Sequence, residues 1–185
     1  MKRVLALTLA AALASGCGYN RIQTLDEEVN GYKSQIEVQL QRRADLVPNL
    51  VNTVRGFAQQ ELAIFEEVSS ARAALGGAIQ GGGMAEMAAA NQMLTGALGR
   101  LIAIAEDNPE IQSNENFRML QDQLEGTENR IATARGDYNT AVREYNGYIR
   151  RFPQVMTAKM IGAGAREYFE AEEGAEEVPT VDFSQ

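Results

Sequence analysis

The sequence contains no histidine, no tryptophan and only one cysteine. Without histidine, the chain lacks the commonest general base and the commonest metal ligand of proteins. Its serine and threonine hydroxyls therefore have no histidine to activate them, and neither Lys33 nor Lys159 lies in a Ser-x-x-Lys motif. With a single thiol, no intramolecular disulfide forms, so stability depends on packing. These absences argue against the familiar hydrolases and against a histidine-containing metal centre.

Basic residues are also few compared with acidic ones, 17 against 25. The formal net charge is −8 at pH 7, and a surface of that sign repels nucleic acid and anionic headgroups as a whole. The longest apolar run, residues 4–13, is too short for a membrane-spanning helix, which takes roughly 20 residues. We therefore expect one exported domain that has no nucleic-acid partner.

The N-terminus has the pattern of a secretory signal peptide. Lys2 and Arg3 precede the apolar run, and small residues lead to Cys17. This arrangement resembles the bacterial lipobox, in which a diacylglyceryl thioether forms on the cysteine and the signal is cut just before it. We predict that residues 1–16 are a lipoprotein signal peptide and that Cys17 attaches the chain to a membrane. Ordinary secretion and an uncleaved signal anchor are the alternatives.

The residue after the cysteine bears on localisation. We expect the protein to face the periplasm or the cell exterior. By resemblance to the sorting rule of bacteria with two membranes, an aspartate directly after the cysteine would retain a lipoprotein in the inner membrane. Gly18 therefore favours the outer membrane in such a host.

Apolar residues recur every three or four positions from Ile36 to Leu75, as one face of a helix requires. The pattern keeps its phase across Pro48 and predicts one long helix that is kinked there. A true break, with Asp45 or Val47 at the helix cap, is the alternative. Glycines at positions 76, 77 and 81–83 predict a flexible turn that ends the helix.

Three further helices follow. The pattern predicts helices at residues 84–106 and at about residues 116–150, the latter with a near-heptad stripe that Pro153 ends. Residues 154–173 predict a weaker helix, interrupted by glycines. The predicted fold is all-α: an antiparallel up-and-down bundle of three long helices and a shorter fourth, spanning residues 17–173. Residues 174–185 predict an acidic, extended tail whose Val181 and Phe183 dock onto the bundle.

Several polar side chains lie close to the apolar stripes. Glu128 and Arg135 are one heptad apart, and Arg42 and Arg43 flank the first stripe. Because buried charges persist only when paired, these positions predict an interhelical network that fixes helix register. The alternative is that each side chain extends its charged head to water. The candidate network and interaction residues are Arg42, Arg43, Asp45, Asn49, Glu125, Glu128, Arg135, Asn139 and Asn146.

Two aromatic–amide pairs, Tyr138-Asn139 and Tyr145-Asn146, stand one heptad apart. Such a stripe favours a core position with a polar rim. The alternative is a groove that holds a peptide or a glycan. Pairs of glutamates such as Glu125 and Glu128, or those at positions 170, 172 and 173, favour solvated helix faces over a cation site.

Together, several segments resemble the LemA family of bacterial envelope proteins. The resemblance is carried by residues 34–51, residues 124–131, both aromatic–amide pairs and Phe152-Pro153, and it covers nearly the whole mature chain. Lys33 stands where the family often has tryptophan, and a lipobox replaces the usual N-terminal transmembrane helix.

The resemblance implies a helical bundle held at the membrane, with no established catalytic activity and no cofactor. We therefore expect a non-catalytic, lipid-anchored scaffold or accessory of membrane-associated partners, whose protein partners are unknown. A binding protein that holds or presents a peptide or cell-wall fragment in an interhelical groove is the alternative. A carboxylate-based hydrolase is a third, weaker hypothesis.

Overall fold

The computed structural model describes residues 2–57 and 61–169, and of residues 2–17 it describes the backbone alone. All regular secondary structure within these ranges is helical. The predicted tail at residues 174–185, with Val181 and Phe183, lies outside the described residues. The helices are α1 (Lys2–Arg55), α2 (Leu62–Gly81), α3 (Met84–Glu106), α4 (Pro109–Gln112), α5 (Glu115–Ile149) and α6 (Gln154–Ile161).

The four longer helices run alternately up and down. Contacts that join distant residues define this order: Arg72 of α2 bonds Ala44 of α1, and Arg100 of α3 pairs with Glu67 of α2. In the same way, α1 and α5 pair antiparallel along much of their length. The predicted all-α, up-and-down bundle is confirmed, with four long helices among the described residues where three were expected.

The additional helix arises because the predicted first helix is interrupted. α1 ends at Arg55 and α2 begins at Leu62, so the prediction of one helix from Ile36 to Leu75 is wrong. Gly56 follows directly after α1, and the low helix propensity of glycine favours an end there. The apolar stripe conceals the break because Val54 and Phe65, on either side of the turn, both face the same core.

Pro48 lies inside α1 and does not break it. A proline has no N–H, so the carbonyl four residues earlier, that of Ala44, loses its helical partner. The Nε of Arg72 on α2 donates a hydrogen bond to this carbonyl at 2.8 Å. The neighbouring helix therefore satisfies the carbonyl that the proline frees, which lets α1 continue to Arg55.

The glycine-rich segment is more ordered than its composition suggests. Gly76 and Gly77 lie within α2, and the chain reverses only at Gly82, whose φ of 71° belongs to the left-handed region. The turn expected over residues 76–83 is therefore wrong for residues 76–81, which are helical. Lys33 of α1 donates to the carbonyl of Gly82 and so ties the turn to the first helix.

The final helix is shorter than expected. α6 ends at Ile161, and Gly162 again has a φ of 71°. Residues 163–169 are not helical, so the weak helix predicted over residues 154–173 is wrong from Gly162 to Phe169, and residues 170–173 lie outside the described part of the chain. A left-handed residue ends a helix readily when it is glycine, because no Cβ opposes that conformation.

One continuous core fills the bundle from Ile22 to Phe169. The stripe predicted on the long helix α5 is confirmed, since Leu124, Ile131 and Tyr138 are all buried. Burial of each large apolar side chain contributes about 1.5–3 kcal/mol. With no disulfide available, this core carries the stability of the fold.

Candidate functional site

A buried arginine joins three helices in the middle of the bundle. Nη1 of Arg43, on α1, donates to the carboxylate of Glu128 on α5 and, at 3.0 Å, to Oδ1 of Asn91 on α3. We call Arg43, Asn91 and Glu128 the interior polar cluster. It lies where apolar residues of α1 and α5 face each other, so each polar group needs a partner.

The two charges in the cluster differ in their access to water. The side chain of Arg43 is 5% exposed, whereas that of Glu128 is 43% exposed. Burial lowers the pKa of the Arg43 guanidinium, and the charge and hydrogen bond of Glu128 oppose this shift. Nε of Arg43 is buried and has no hydrogen-bond partner. The guanidinium is therefore buried with only part of its hydrogen-bonding capacity satisfied.

Asn91 was not among the residues singled out from the sequence. It lies in an α3 segment of alanine and methionine and carries no charge, so the pairing of opposite charges does not mark it. It is 5% exposed and accepts from Arg43. A polar residue in an otherwise apolar helical stripe is the one signal that would have found it.

Five further candidates lie outside the interior polar cluster. Arg42, Asp45, Asn49 and Glu125 are exposed on α1 and α5, and Asp45 accepts a hydrogen bond from Gln41 on its own helix. Arg135 is half-buried, with its guanidinium 4.7 Å from the centre of the Phe169 ring. The structure therefore brings Arg43 and Glu128 together and leaves the exposed residues outside the cluster.

Asn139 and Asn146 hold the chain that follows α6. Nδ2 of Asn146 donates to the carbonyl of Arg166, and its Oδ1 accepts from the N–H of the same residue, both at 2.8 Å. Asn139 bonds Phe169 in the same way, at 3.0 and 2.8 Å. Each amide thus pairs with a backbone as a neighbouring β-strand would. We call residues 164–169 the held segment.

The spacing of the two asparagines matches that of their partners. Seven residues of helix separate Asn139 from Asn146, a rise of about 10.5 Å. Three residues of extended chain separate Arg166 from Phe169, which covers about 10 Å. The heptad spacing noted in the sequence therefore places the two side-chain amides about as far apart as two residues three positions apart in an extended chain. The held segment runs antiparallel to α5.

Side chains complete the attachment of the held segment. The Tyr138 hydroxyl donates to the carbonyl of Glu167 at 2.8 Å. Arg166 forms a two-pronged ion pair with Asp26 of α1, with N–O distances of 2.8–3.0 Å, and this hydrogen bonding raises the pKa of Arg166. Burial raises the pKa of both Tyr138 and Tyr145. Phe169 is fully buried.

We call Asp26, Tyr138, Asn139 and Asn146 the clasp. Three of these residues recognise backbone or backbone-like groups, and only Asp26 selects a particular side chain. These contacts hold an extended segment of the protein's own chain, residues 164–169. Among the described residues, no group of three or more acidic or thiol side chains is placed to hold a metal ion, and Glu170, Glu172 and Glu173 lie outside them.

The described helices include none long and apolar enough to cross a membrane.

The fold and the site together define a helical-bundle protein whose prominent polar groups bind each other and an extended chain. The chain belongs to the LemA family, whose family model matches residues 32–183. The matched range contains the interior polar cluster and all of the clasp except Asp26.

Two similar proteins are named as magnetosome proteins. Magnetosome protein MamQ 2 of Paramagnetospirillum magneticum is 34% identical over 186 residues, which cover 88% of this chain and 68% of the relative. Magnetosome protein MamQ of Magnetospirillum gryphiswaldense is 32% identical over 174 residues, which cover 82% of this chain and 64% of the relative. These relatives are therefore longer than the region they share with this chain.

Proposed function

We propose that this chain is a non-catalytic bundle attached to a bacterial membrane by a lipid on Cys17, where it serves as a scaffold or accessory for membrane-associated partners. Membership of the LemA family and the absence of histidine support the non-catalytic role. By the same proposal the protein faces the periplasm or cell exterior, and Gly18 favours the outer membrane in a host with two membranes.

The observation that carries the proposal is the position of Cys17 in α1. The packed part of the bundle begins directly after it, with Gly18 buried and Ile22 in the core. Cleavage before Cys17 would therefore leave every described core residue in place. A lipid on Cys17 would hold the bundle close to the membrane, with almost no linker between them.

We predict that Cys17→Ser abolishes membrane attachment. The serine hydroxyl cannot form the thioether, so the chain should lose its lipid mass and leave the membrane fraction or keep its signal segment. Intact-mass spectrometry and fractionation measure both effects. The matched control is Asn20→Ser, an exposed position three residues away, which should remain lipidated. A soluble wild-type chain of unmodified mass that retains Lys2 and Arg3 would refute the lipid anchor.

The clasp supports a second function, the binding of an extended peptide. In this function the held segment occupies the groove as an internal ligand, and a partner peptide of similar form replaces it. The contacts to Arg166 and Phe169 backbone groups would accept many sequences. The ion pair with Asp26 would favour a peptide with arginine at the matching position.

A peptide with the sequence of residues 164–169 tests this second function. Arg166→Ala weakens the internal ligand and leaves the clasp intact, so the added peptide should bind this variant about tenfold more tightly than the wild type. Calorimetry measures the difference. The control is the same peptide added to the double variant Arg166→Ala, Asn146→Ala, which should bind it weakly. Equal binding to all three proteins would show that the clasp is purely structural.

A further inference from the structure

α6 presents its apolar side chains outward. Ala158 is 3% exposed and faces the bundle, whereas Met156 is 59% exposed and Met160 is 86% exposed. Phe152, in the turn before α6, is 79% exposed. A helix surrounded by water normally turns its apolar stripe to the core. This reversed arrangement marks a surface that meets an apolar partner.

The outward apolar surface lies at the end of the bundle that carries Cys17. α6 packs against α1 at Gly18, where an added Cβ would lie 3.5 Å from Oγ1 of Thr157 and 3.8 Å from Cγ of Gln154. Cys17 is the adjacent residue. The exposed apolar residues are therefore beside the proposed lipid.

The charge of this end is opposite to that of the whole chain. The net charge is −8, yet residues 145–165 contain no aspartate or glutamate and carry Arg150, Arg151 and Lys159. Residues 17–25 likewise contain no acidic residue and carry Arg21. All four basic residues are exposed. A second copy packed symmetrically on this end would bring like charges together. Anionic lipid headgroups complement the surface instead.

We propose that residues 150–161 form a second membrane contact beside Cys17. Phe152, Met156 and Met160 enter the boundary between headgroups and acyl chains, and the basic side chains bind lipid phosphates. The inference rests on the proposed membrane attachment and adds an orientation to it. A single flexible lipid lets a bundle swivel, whereas two neighbouring contacts hold its long axis at one angle to the membrane.

The absence of tryptophan allows a direct test. Met156→Trp places one fluorophore on the proposed contact, and Met93→Trp places one on α3 as the matched control, because both methionines are 59% exposed. Met93 shares a groove with Ala74, near the level of Ala44 on α1, roughly 40 Å along the bundle from Gly18. Each full-chain variant is extracted and reconstituted into vesicles of phosphatidylcholine and phosphatidylglycerol with brominated acyl chains.

Bromine should quench the fluorescence of Met156→Trp at least about twofold more than that of Met93→Trp, since bromine quenches only at contact with the acyl region. Iodide in the water should show the reverse preference. In the Met156→Trp background, changing Arg150, Arg151 and Lys159 to glutamine should reduce the bromine quenching. If the protein did not float together with the vesicles, the result would contradict the membrane attachment in the proposed function rather than this inference.

Two results would overturn the inference while attachment persists. Iodide quenching at position 156 equal to that at position 93 would place α6 in water. Protection from both bromine and iodide would mean that protein covers the surface, either a second copy or the chain beyond residue 169.

Discussion

Leu124→Ala should lower the free energy of unfolding by about 2–5 kcal/mol, the range for emptying a packed core site. Leu124 is 5% exposed and lies on the buried stripe of α5, opposite α1. Removing its branched end takes away apolar contacts and leaves a cavity that two long, tightly paired helices cannot easily close. Urea unfolding followed by circular dichroism at the helix band measures the change.

The matched control is Leu62→Ala. Leu62 begins α2 and is 62% exposed, so the same chemical change should alter the unfolding free energy by about 0.5 kcal/mol or less. If the two variants were equally stable, the stripe of α5 would not face a packed core, and the pairing of α1 with α5 would be wrong.

The sequence predicts the regular helices closely. α3 spans the same residues, Met84–Glu106, that its apolar pattern predicts, and α5 differs from its prediction by one residue at each end. The boundaries of α5 have strong local signals. The side chain of Asn114 accepts from the N–H groups of Asn116 and Phe117 at the start of α5, and Pro153 follows its end. Where a cap or a proline coincides with the end of a stripe, the local signal is sufficient.

The break between α1 and α2 could not be predicted in this way. Two antiparallel helices that pack against one core can carry apolar stripes whose spacing continues across the turn between them. The spacing of apolar residues therefore does not reveal that the chain reverses. The strongest local breaker, Pro48, lies inside α1 as predicted, and Arg72 from α2 bonds the carbonyl that it frees. That compensation is a contact between residues 28 apart, and no local pattern contains it.

The candidate site could be predicted only in part, for the same reason. The heptad spacing of Asn139 and Asn146 identified residues that prove to act together, yet their partners are backbone groups of a segment expected to be helical. A side chain that binds backbone groups can bind a segment of almost any sequence. The pairing is therefore invisible until the chain is folded. Arg43 and Glu128 were easier, because a charge near an apolar stripe calls for an opposite charge.

Glu128→Ala should destabilise the protein by about 2–3 kcal/mol. The change leaves the buried Arg43 guanidinium with Asn91 as its remaining side-chain acceptor. Breaking a fully buried ion pair costs about 3–5 kcal/mol, but Glu128 is 43% exposed, so water can partly replace its carboxylate. The expected loss therefore falls at or below the lower end of that range.

Three further variants separate the ion pair from other effects of the substitution. Glu128→Gln keeps an oxygen acceptor and should cost about 1 kcal/mol. Glu125→Ala, an exposed position one turn earlier on α5, should stay within about 0.5 kcal/mol of the wild type. The double variant Arg43→Met, Glu128→Ala strands no charge and should recover much of the stability lost in Glu128→Ala. If Glu128→Ala behaved like Glu125→Ala, the buried arginine would not depend on its partner, and the interior polar cluster would not fix the register of α1 against α5.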